Sequence, residues 1–177
     1  ILLTQGITKE TLPIVYANLG RLLFPANEQD NWKSVFVICG ENSKNLIIDL
    51  LAYILGEDQV QHVSDQEPLT RKTLKTRLLV CDIEKSPKLT IRLANAANGE
   101  LINIAPENQE PIYRRIHVPC LFTCDSTCPS SILFTQTLSE IDMTGMRTRL
   151  LAEVSHILPK ITSLYRRYVR KDCNVHP

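Results

Sequence analysis

The chain has 177 residues, with 20 Lys and Arg against 19 Asp and Glu, 44% hydrophobic and 22% charged content, and a net charge of +1. This is an ordinary balance for a globular domain able to bury a sizeable core. It excludes a global field that draws the protein to nucleic acid or an anionic membrane, so any such binding must come from a local patch. No apolar run approaches the ~18 residues of a membrane span.

The first helix is expected from Thr11, with Pro13 in its first turn and Val15, Leu19, Leu22 and Leu23 on one face; Pro25 ends it. A buried strand follows over 34–39. Next comes a helix over 45–55 with Leu46, Leu50, Leu51 and Ile54 inward, stopped by Gly56. A short strand is expected at 60–63, a short helix opened by Pro68 through Leu74, and a strand at 77–84 around Leu78, Leu79 and Val80. Pro87 opens another short helix, and Asn98-Gly99 is a turn. Residues 101–105 and 112–116 read as a β-hairpin around the tip 106–111. Strands at 119–124 and 132–137 come next. A single helical pattern over 146–171 then places Leu150, Val154, Ile157, Leu158, Ile161, Leu164 and Tyr168 on one side, with Pro159 kinking or breaking it. Alternating strands and helices give an α/β fold: a largely parallel sheet flanked by helices, with a β-hairpin and a long C-terminal helical segment.

The segment from Gly20 to Asn45, GRLLFPANEQDNWKSVFVICGENSKN, runs a buried strand into a glycine turn and a lysine at a helix start. That is the layout of a phosphate-binding loop, in which backbone N–H groups and a helix N-terminus suit an anion and lysine adds a full charge. The pattern G-x-x-x-x-G-K-[ST] is altered. Only three residues separate Gly40 from Lys44, so the loop is two residues short; the second glycine is missing, and Asn45 replaces the magnesium-binding hydroxyl. The plain alternative is a turn into a capped helix.

Further pieces fall in order behind this loop. GRLLFPANEQDNW, LLVCDIE, NGELINIAPENQEP and VPCLFTCDSTCP, followed by the helix RTRLLAEVSHILPKITSLYRRYV, resemble the ATPase domain of superfamily 3 helicases, in particular the poxvirus-type primase-helicases of large DNA viruses. The resemblance covers nearly the whole chain. It implies an AAA+-like P-loop domain, Mg-ATP as cofactor, a homo-oligomeric ring, and NTP-driven movement along single-stranded DNA at a viral replication site, or a virion-associated role. It implies one domain over 1–177: a helical lead-in at 1–28, an α/β core at 33–137 and a C-terminal helical segment at 145–172.

Carried onto this sequence, the resemblance makes Gly40, Lys44 and Asn45 the nucleotide-binding residues. Asp82 and Glu84, two apart on a strand end and so on one face, would support Mg²⁺ and polarise the attacking water. Asp125 stands where the family usually has an asparagine that senses the γ-phosphate, and an acid there repels phosphate. The stretch CPSSILFTQ carries no arginine to act across a ring interface, and the first candidates after it are Arg147 and Arg149. On the hairpin, Arg114 and Arg115 would hold the DNA backbone, opposed by Glu107 and Glu110 at the tip. Because the departures fall on catalytic parts, two functions stand: a helicase-like domain with weak or lost ATPase activity, and an inactive structural or assembly module derived from one.

Two clusters remain. Arg166, Arg167, Arg170 and Lys171, with Tyr165 and Tyr168 between, combine basic and aromatic residues in a way that can grip single-stranded nucleic acid; a solvated helix face is the commoner arrangement at a chain end. Cys120, Cys124 and Cys128, with Cys173 and His176, lack the Cys-x-x-Cys knuckles of structural zinc, so no metal is expected. Cys39 and Cys81 at strand ends read as buried thiols of an intracellular protein. The sequence opens on Ile1 without an initiator Met or signal peptide, as expected of a piece of a longer chain.

Overall fold

The computed structural model describes residues 7–26, 35–40, 43–67, 69–71, 73–104, 110–125, 133–137 and 145–170. Among these, five strands form one parallel sheet. In chain order they are β1 (Val35–Cys39), β2 (Val60–Val63), β3 (Leu78–Asp82), β6 (Cys120–Cys124) and β7 (Leu133–Thr137), and in space they run β2-β3-β6-β1-β7. Two short strands, β4 (Ile102–Ile104) and β5 (Ile112–Arg114), make a separate antiparallel hairpin with Ile102 opposite Arg114. The helices are α1 (Leu12–Arg21), α2 (Ser43–Leu55), α3 (Pro87–Ala97), α4 (Met146–Ala152) and α5 (Val154–Arg170).

The interior strand β1 explains the layering. Every residue of β1 is buried, as a parallel strand covered on both faces requires. Phe36 and Ile38 point to one face, where they join Leu78, Val80 and Leu121 beneath α1, α2, α4 and α5. Val35, Val37 and Cys39 point to the other, where they join Leu79, Cys81, Phe122 and Cys124 beneath α3 and the hairpin isoleucines 102, 104 and 116. Two-residue alternation therefore feeds two separate cores. Each fully buried Leu or Phe contributes about 1.5–3 kcal/mol.

Helix α1 starts at Thr11, but Thr8 braces it: its Oγ1 accepts from the Thr11 N–H at 3.3 Å. The expected inward residues Val15, Leu19, Leu22 and Leu23 are all buried. Gly20 lets α1 approach α5 closely, since a Cβ there would stand 2.6 Å from the Ile161 carbonyl oxygen and 2.7 Å from Tyr165 Cβ. Gly56 closes α2 with φ of 101°, a conformation that favours glycine.

Three expectations are corrected. The short helix after Pro68 is a single 3-10 turn at Thr73–Lys75, held by the reciprocal hydroxyls of Thr70 and Thr73, while Pro68 lies outside the described residues. The strand expected to reach Glu84 ends at Asp82, because the Asp82 carboxylate accepts the N–H groups of Glu84 and Lys85, each at 3.1 Å, and turns the chain. The C-terminal pattern is two helices. The break falls at Glu153, whose N–H bonds back to Arg149 and Leu150, and α5 runs unbroken through Pro159. The proline sits near the start of α5, and the carbonyl that its missing N–H would have met belongs to exposed Ser155, within reach of water.

Candidate nucleotide site

The carboxyl ends of β1, β3 and β6 lie side by side, with Cys39 paired to Cys124 and Asp82 to Thr123. Two bonds carry the ladder one step further: Gly40 N–H donates to Cys124 O at 3.1 Å, and Ile83 N–H to Thr123 O at 2.8 Å. Helix α2 follows β1 on one face of the sheet, and α3 follows β3 on the other. A crevice outside the strand ends, where connections leave to opposite faces, is where open α/β sheets hold ligands. The sequence thus delivers Gly40, Lys44, Asp82 and Asp125 to one place from four segments.

Lys44, in the first turn of α2, is only 8% exposed. Its Nζ donates to Asp82 Oδ2 at 3.4 Å and to Asp125 Oδ1 in a shorter contact. Lys85 Nζ also reaches Asp82 Oδ2, at 3.4 Å. Burial pulls the Lys44 ammonium toward neutrality, but the hydrogen bond to Asp125 and the charges of Asp82 and Asp125 outweigh it, so its pKa lies above the usual lysine value. Burial likewise works against the Asp82 carboxylate. It is outweighed by the Lys85 backbone N–H and the two ammonium groups, and the Asp82 pKa lies below its usual value.

Other expected site residues stand apart. Glu84 is exposed in the turn after β3, not beside Asp82 on a strand face. Asn45 is exposed on α2. Arg114 and Arg115 are exposed on and just beyond β5. Arg147 is tied within the chain, its Nε 3.0 Å from Asp49 Oδ2 on α2, and Arg149 is exposed. The residues Glu107, Cys128, Lys171, Cys173 and His176 lie outside the described residues. Sequence reasoning missed Lys85, although its three-residue spacing from Asp82 was visible, and Asp65, which caps α3 from 22 residues before Pro87 through bonds to the N–H groups of Lys88 and Leu89. Nothing local signals so distant a cap.

The donor set does not fit Mg-ATP well. Among the described residues the buried cation is Lys44, already held by two carboxylates, and a phosphate that took it would lie against Asp125. Asn45, next to Lys44 on α2, offers an amide and is exposed. The thiols of Cys39 and Cys124 lie 2.7 Å apart directly behind the site, both buried.

In fold the chain is similar to the C-terminal region of NrS-1. One apo structure of that region, an A form, superposes with a TM-score of 0.62 at 12% identity, covering 98% of this chain and 50% of that one. A second, of residues 305–718, gives 0.50 at 13% identity, covering 94% and 48%. The JCV helicase gives 0.48 at 10% identity, covering 92% of this chain and 56% of that one, which is too distant to argue from. The chain therefore spans about half the length of the NrS-1 region it matches. No protein-family model matches the sequence, and no curated protein is similar to it. The fold is α/β and AAA+-like: a parallel sheet flanked by helices, with a short antiparallel hairpin and a C-terminal helical segment. No helix among the described residues is long and apolar enough to cross a membrane.

Proposed function

We propose that this chain is the helicase-like AAA+ domain of a viral DNA-replication protein of the superfamily 3, poxvirus-type kind, and that its ATPase activity is weak or lost. One observation carries the second half of that reading: Lys44 is enclosed by Asp82 and Asp125. Gly40, Lys44 and Asn45 are then the remnant of a nucleotide site, and Asp82, Glu84 and Asp125 occupy the positions of the hydrolytic groups. Arg114 and Arg115 are the candidate contacts to single-stranded DNA, and a homo-oligomeric ring is the expected assembly. An assembly module with no turnover is the second reading. It is favoured by a sheet buried on both faces around an altered site.

Thermal unfolding with and without Mg-ATP tests the proposal. Ligand at about 100 times its Kd adds roughly 2.7 kcal/mol. The expected result at millimolar Mg-ATP is almost no shift for the native chain, and a gain for Asp125→Asn that disappears when Lys44→Ala is added. A rise of several degrees in the native chain, lost in Lys44→Ala, would overturn it. So would steady hydrolysis abolished by Glu84→Gln.

A further inference from the structure

We propose that the outward face of α5, carrying Arg166, Arg167 and Arg170, binds the phosphodiester backbone of nucleic acid without regard to base. Together with Pro159, Thr162 and Ser163, these arginines line one shallow open groove. The positions recur at three- and four-residue steps, so they form a single stripe. All three arginines are exposed, and among the described residues none of them makes an ion pair. Lys44, Lys85 and Arg147, by contrast, are each paired with a carboxylate.

The stripe is held rigidly. The opposite side of α5 buries Ile157, Ile161 and Tyr165, with Tyr165 stacked on Phe24 of the α1 segment at 5.3 Å between ring centroids. Successive arginines one turn apart stand ~6 Å from each other along the axis, a spacing of the same order as that of neighbouring phosphates. Guanidinium groups present fixed forks that match phosphate oxygens in pairs. Compensation of the helix dipole acts only within the last turn, so it accounts for Arg167 and Arg170 but not for Arg166.

The groove also says which polyanion. Its lining offers no large apolar residue to enter the acyl boundary of a membrane, as a surface helix needs. Nor does it offer an aromatic or aliphatic pocket to anchor an acidic peptide. A phosphate backbone needs neither, since its affinity comes from charge and counterion release. The structure alters the mode expected from the sequence: Tyr165 is in the core, and Tyr168, two positions from both Arg166 and Arg170, points away from the stripe. Among the described residues no aromatic side chain lines the groove, so the grip is electrostatic and indifferent to sequence. This inference does not rest on the reading of Lys44.

Fluorescence anisotropy with a labelled oligothymidylate of about twenty nucleotides, and with a duplex of equal length, tests it. Three phosphate contacts give a salt slope near −2 for a single strand and near −2.7 for a duplex, or losses of about 20-fold and 40-fold between 50 and 200 mM salt. The variant R166Q/R167Q/R170Q, whose fold is checked by circular dichroism, should lose most of the affinity and reduce the slope's magnitude by about 2 for a single strand and about 2.7 for a duplex. Equal affinity for an oligothymidylate and an oligodeoxyadenylate supports a grip indifferent to base, and the lower Kd at one salt concentration identifies strand or duplex as the better ligand. Three outcomes overturn the proposal: no binding at low salt, binding unchanged in the triple variant but lost in R114Q/R115Q, or displacement of the oligonucleotide by polyglutamate at equal charge concentration.

Discussion

The strand-end cluster and the α1–α5 contact are both assembled from segments distant in sequence, yet they are built on opposite terms. Where α1 meets α5, Gly20, Phe24, Ile161 and Tyr165 pack so closely that one added methyl meets backbone. At the ends of β1, β3 and β6, charged groups are instead paired with one another. Packing of that density tolerates little change, whereas an ion pair open to water on its Asp125 side tolerates more. The comparison separates what holds this domain together from what its site can still do.

The largest expected effect lies on the packed side. Ile161→Ala empties a fully buried position and should cost about 2–5 kcal/mol, read by urea unfolding, against a typical domain stability of about 5–15 kcal/mol. Leu158, on the same helix but only half-buried, should cost less. Gly20→Ala comes next, at about 1–3 kcal/mol of overpacking, because the Ile161 carbonyl it meets is backbone and cannot swing away. A neutral Gly20→Ala would break the comparison.

The smallest effect belongs to the site. Lys44→Ala should change stability at pH 7 by less than about 1 kcal/mol, since Asp125 is 38% exposed. Its signature is the pH dependence. Asp82, with a folded pKa below its usual 3.8, contributes stability that is complete above that value and is lost as pH falls through the lower folded value. Lys44, raised above 10.5, contributes below that pH and loses its contribution as pH rises through the folded value. In Lys44→Ala the acid transition should move to higher pH, and the alkaline one should lose the Lys44 component. Unfolding curves between pH 2 and 5 and above pH 10 check both.

Much of this was legible in the sequence because periodicity reports burial directly. The β1 run VFVIC, the inward leucines of α2 and the two hairpin strands all appear where the pattern placed them, the strands shorter than expected. The meeting of Lys44 with Asp82 and Asp125 was implied by putting all three at strand or helix ends. Their mutual pairing was not, since it depends on side-chain reach across 38 and 81 residues. The break at Glu153 was missed because a proline is a loud signal and a 3-10 closure is a quiet one. Tyr165 was misread for a similar reason: directly before Arg166 and Arg167 it looks like a surface residue, and only the approach permitted by Gly20 reveals it as core.

The order of strands also constrains how the molecule comes to exist. The interior strand β1 finds its two neighbours only in β6 and β7, about 85 and 98 positions further along the chain. During synthesis, β1 therefore leaves the ribosome as an apolar strand with no partner. The pair β2 and β3 can associate while β1 waits, with both of its edges open. Pairings of such long sequence separation fold slowly, and unpaired apolar edges invite association with other chains. Fragments ending before residue 133 should therefore aggregate in proportion to how long β1 stays unpaired, and a chaperone that covers VFVIC would act at the most exposed stage of this protein's life.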